Sequence, residues 1–63
     1  MMTKKDYVAI AHTVKVSIET QRALVRPDAV EALAVLSSSL AEVMARGNER
    51  FDRRRFLVAC GTA

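Results

Sequence analysis

Wound at roughly 100° per residue, Tyr7, Ile10, Ala11, Val14 and Ile18 fall on one face, with Val25 at its far end. Lys4, Lys5, His12, Lys15 and Glu19 project elsewhere, so the segment is predicted to be an amphipathic helix over residues 3–25. Thr3 followed by Asp6 has the spacing of a capping box, with Asp where Glu or Gln is usual. One stretch conflicts: Val14, Val16 and Ile18 also alternate at period two and are β-branched, as in a half-buried strand. Helix is preferred, because a lone strand needs a partner strand and no second segment supplies one.

Arg26 precedes Pro27 and is disfavoured in the helical region, which ends the first helix at or before it. Proline suits the first helical position, and Asp28 beside it complements the positive end of the helix dipole. The second helix is predicted over residues 27–46, with Gly47 and Asn48 closing it in the left-handed conformation. Its polar residues, Asp28, Glu31, Ser38, Glu42 and Arg46, occupy an arc of only about 100°. The opposite face holds Ala29, Val30, Leu33, Leu36, Leu40, Val43 and Met44, flanked by Ala32, Ala34 and Ala41. So wide an apolar arc exceeds what two short neighbours in one chain can cover. In the last segment, Asp52 reads as an N-cap, with Phe51 before it and Phe56 four residues into the helix forming a hydrophobic staple. Gly61 ends a helix over residues 52–60 that turns Phe56, Ala59 and Cys60 inward, leaving Cys60 as a core residue. The expected fold is all-α: a small three-helix domain over residues 1–63, associating as a helical homodimer.

The 63-residue length makes that association important, because so short a chain hides only ~60% of its unfolded surface. A single cysteine excludes an internal disulfide, and Cys60 with His12 is too small a set for a tetrahedral zinc site. Self-association through Leu33, Leu36, Leu40, Val43 and Met44 is the remaining supplement to the core. Ser37, at the edge of the apolar face, is small enough to let another helix approach. The net charge is +3, and its excess lies entirely after residue 45. Arg46, Arg50, Arg53, Arg54 and Arg55 there face only Glu49 and Asp52. No apolar run reaches the about 18 residues of a membrane span and no signal-peptide core is evident, so a cytoplasmic protein with no membrane contact is expected.

No catalytic set is apparent. His12 lies beside the apolar stripe as a solvated histidine, and the Ser37–Ser38–Ser39 run lacks the strained turn of a nucleophile elbow. There is no phosphate loop, zinc spacing or calcium loop, so neither enzyme activity nor a cofactor is expected. The arginines have two readings. They contact phosphates or an acidic partner, or they are solvated and locally paired with Glu49 and Asp52; the solvated reading is preferred. Tyr7, Phe51 and Phe56 are assigned to the core, which leaves no stacking platform for single strands. Past its arginines the last helix is apolar, unlike a helix that reads base edges.

Thr3-Lys4-Lys5-Asp6-Tyr7 with Ile10-Ala11, then Asn48, Arg50-Phe51-Asp52, Arg55-Phe56 and Ala59-Cys60-Gly61, resemble small proteins encoded by bacteriophages and prophages. The resemblance covers about a third of the positions, at the two termini, and Glu49 stands where those proteins commonly have proline. It implies a source and no activity: a host-cytoplasm setting and a host or phage protein as partner. The expected function is thus a small non-enzymatic interaction protein that self-associates through its central helix. The alternative is a basic accessory protein that binds nucleic acid through the arginine cluster.

Overall fold

The computed structural model describes residues 2–63 and is all-α. Helix α1 spans Lys4–Ala23, α2 Pro27–Gly47 and α3 Arg53–Cys60, and each packs against the other two. The molecule measures 36 × 18 × 16 Å, and the short α3 packs against both long helices. Among the described residues no helix is long and apolar enough to cross a membrane.

Helix α1 starts where the capping box places it: the Thr3 backbone N–H donates to Asp6 Oδ2 at 2.8 Å. The period-two stretch is helical throughout. Its hydroxyl residues bond back to the helix's own backbone, Thr13 donating to the Ala9 carbonyl, Ser17 to Thr13 and Thr20 to Val16, at 2.8–2.9 Å. The helix stops at Ala23, short of the expected residue 25. Arg26 N–H bonds the Gln21 carbonyl and Val25 N–H the Arg22 carbonyl, a Schellman closure that requires a left-handed residue at Val25. Val25 has φ 54° and is 83% exposed, so it is a turn residue and not the end of the buried face. No glycine stands nearby, and Pro27 forces the turn to be completed before it, so a β-branched residue takes a conformation it disfavours.

Helix α2 begins at Pro27 as expected but ends differently. Gly47 remains helical, and Asn48 leaves in extended conformation (φ −154°), so no left-handed residue closes it. The Asn48 side chain instead accepts the Arg50 N–H at 3.0 Å while its carbonyl accepts that of Phe51, and this turn swings the chain into α3. Asp52 caps α3 by accepting the Arg55 N–H at 3.0 Å, and the Phe51 and Phe56 rings meet at 5.6 Å as a staple. Gly61, at φ 82°, closes α3 in the same Schellman pattern that Val25 completes for α1.

The core comprises Ala11, Val14, Ile18, Ala41, Met44, Phe56 and Cys60, with Ser37 buried at its centre. The phase of α2 therefore differs from the expected one. Its inward line runs through Ser37, Ala41 and Met44, about 60–100° from the line of Leu36 and Leu40. The line carries the small Ser37 and Ala41 where α1 and α3 both pack on α2, and Leu33 and Leu40 sit half-buried beside it. Ser37 is wholly buried without an unsatisfied hydroxyl: it donates to the Ala34 carbonyl at 2.7 Å and meets Thr62 Oγ1 at 3.2 Å. Its small side chain admits the segment after α3.

Candidate functional site

Two surfaces result from this packing. The first is a shallow uncharged groove between α1 and α2, lined by Ile10, Thr13 and Ser17 on one side and Leu33, Leu36 and Leu40 on the other. No charged residue and no α3 residue lines it. The internal bonds of Thr13 and Ser17 commit their hydroxyl protons to the helix backbone, which makes the α1 wall less polar than its sequence suggests.

The five residues expected to drive self-association divide across this surface. Met44 is buried in the chain's own core and Leu33 and Leu40 are half-buried against it, whereas Leu36 (49%) and Val43 (63%) are exposed. Leu33, Leu36, Leu40 and Val43 share one flank of α2 by helical phase, whereas Glu42, which meets α3, lies on the other. Met44 is spent internally because the inward line passes through it.

The second surface is a groove of about 440 Å³ between the start of α1 and α3. Its apolar wall includes Met2, Val8 and Ala59, its aromatic wall Tyr7, Phe51 and Phe56, and Lys4, Arg50 and Arg55 stand around it. Tyr7 and Phe51 are tilted against each other at 4.9 Å and are only half-buried, so the aromatic residues are not wholly consumed by the core as expected. The sequence places Tyr7 inside by periodicity and Phe51 and Phe56 by the staple; only Phe56 is buried, and Tyr7 and Phe51 keep part of their surface open. The pairing of Lys4 with two residues from the other end of the chain carried no sequence signal.

The arginine cluster is likewise dispersed. Arg50 and Arg55 border the α1–α3 groove, Arg53 reaches α2 and pairs with Glu42, and Arg46 and Arg54 are exposed and line neither groove. The Arg53–Glu42 pair is the one salt bridge among the described residues, in place of the local pairing with Glu49 and Asp52 expected from proximity in sequence. Cys60 is fully buried, and burial pushes its thiol above the ordinary value, away from the thiolate that a nucleophile or metal ligand requires. Among the described residues no group of three or more His, Cys, Asp and Glu is gathered as a metal site.

Compared with known protein families, curated proteins and solved structures, the chain matches none.

Proposed function

We propose that the protein is a small, non-catalytic interaction protein whose copies pair through the α1–α2 face. The observation that carries this reading is the exposure of Leu36 and Val43 beside a groove lined without charge. A two-fold interface sets one patch against itself, so like charges would repel there, whereas an uncharged apolar patch is complementary to its own copy. Pairing would also relieve the small core, in which Ala11, Ala41 and Cys60 contribute little apolar area each. The resemblance of the termini to phage-encoded proteins adds a source, the host cytoplasm as compartment and a host or phage protein as further partner.

Light scattering coupled to size exclusion tests the pairing. The expected mass at micromolar concentration is twice the 7.0 kDa of the chain, falling to that of one chain in a Leu36→Asp, Val43→Asp double variant that keeps its helical circular dichroism. A folded wild-type protein of single-chain mass overturns it. The alternative, nucleic-acid binding by Arg46, Arg50, Arg53, Arg54 and Arg55, has less support, since Arg53 is tied to Glu42 and the others do not form one stripe.

A further inference from the structure

We propose that the groove between α1 and α3 binds an acidic peptide segment that carries apolar anchor residues. The proposal deepens the interaction-protein reading, on which it rests, by assigning a second surface and the chemistry of its partner. It does not depend on pairing of copies through the other face.

Three separate elements deliver the cations: Lys4 from the first turn of α1, Arg50 from the turn after α2, and Arg55 from the first turn of α3. None of them pairs with a carboxylate among the described residues. Asp52 is the one acid lining the groove, and its Oδ1 is engaged with the Arg55 backbone N–H. Three cations against one carboxylate leave a net positive border around a floor of exposed apolar side chains. Val8 is 58% exposed and Met2 38%, and both stand beside the half-buried rings of Tyr7 and Phe51.

A ligand that uses the whole site must bring apolar side chains to the floor and carboxylates to the border. A phosphate backbone satisfies the cations but gains nothing from Met2, Val8 and Ala59. The rings are packed edge-tilted against one another, at 52° and 53°, in place of the open flat faces on which bases stack. A peptide with leucine-like anchors flanked by Asp and Glu matches both parts.

The test uses a built-in reporter. Tyr7 is the only tyrosine, the chain has no tryptophan, and Tyr7 lines the groove. Three sets of short peptides without tyrosine or tryptophan, each with two central leucines, are titrated against the full chain. They are flanked by Asp and Glu, by Asn and Gln, or by Lys and Arg. The acidic set is expected to change Tyr7 emission saturably and to bind about tenfold more tightly than the amide set, the combined effect of three exposed ion pairs. This preference should shrink as salt rises.

An Arg50→Glu, Arg55→Glu variant should lose the preference or transfer it to the basic set. It is expected to fold, because Glu three residues after Asp52 suits the start of a helix. Equal binding by the three sets, no emission change with any of them, or saturation by an oligothymidylate at the same salt with none by the acidic peptides would each overturn the proposal. Mass measured on the same samples keeps the two surfaces separate. A single-chain mass with acidic-peptide binding removes pairing alone, and a doubled mass without binding removes the groove proposal alone.

Discussion

The two sides of α2 are finished differently. Toward α3, Phe56 and Cys60 are 4% and 0% exposed, and Arg53 reaches across to Glu42. On the other flank Leu36 is 49% and Val43 63% exposed, and no α3 residue lines the groove that includes Leu36. A single α3 covers only the side of α2 against which it packs, and its eight residues, about 12 Å, reach along only part of a 21-residue helix. A chain this small completes one core and leaves part of its apolar flank exposed.

The largest effect should come from removing the seal. Phe56→Ala is expected to cost about 3–5 kcal/mol, enough to unfold a chain of marginal stability, as read by urea denaturation. Leu36→Ala should leave the denaturation midpoint of dilute single chains nearly unchanged and act on the mass of the assembly. Similar midpoints for the two variants would mean that the sides are not distinct.

The two Schellman closures sharpen the comparison at a smaller scale. Gly61 on the sealed side adopts φ 82° freely, whereas Val25 at the α1–α2 turn holds φ 54° against its β-branch. Val25→Gly is expected to raise stability by up to about 1 kcal/mol, since the strain relieved exceeds the added flexibility of the unfolded chain. An increased midpoint in thermal or urea unfolding checks it, and a decreased one would mean that the turn is not strained.

The smallest effect concerns Cys60. Its folded thiol titrates above its unfolded value, so at high pH the unfolded chain releases its proton first. Its contribution to stability is therefore intact below the ordinary thiol value of about 8.5 and declines as pH rises through the folded one. Urea midpoints followed from pH 7 to alkaline pH, with Cys60→Ala as the comparison, check this. A decline equally steep in the Cys60→Ala variant would assign it to other groups.

Much of the fold was legible in the sequence, because local signals each point to one conformation. Thr3 with Asp6, Pro27 with Asp28, and Asp52 between Phe51 and Phe56 mark three helix starts that the structure reproduces within a residue or so. Helix ends were less legible where two closures compete. Gly47 offered the left-handed cap, but the Asn48 side chain provided another exit, and Val25 took the left-handed position with no glycine to announce it. The candidate sites were legible only in part. Leu36 and Val43 follow from the excess apolar arc of α2. The meeting of Lys4 with Arg50 and Arg55 spans more than 45 positions in the chain and leaves no periodicity to read.

The sequence by itself determined three helices, their starts and an apolar surplus on the middle one, because capping chemistry and the 3.6-residue period act within a few residues. Tertiary structure decided which part of α2 faces inward, and it chose Ser37, Ala41 and Met44 over the leucines. Hydrophobicity ranks side chains by area, whereas three helices in mutual contact select by the space left between their backbones. That choice left Leu36 and Val43 on the exposed flank of α2.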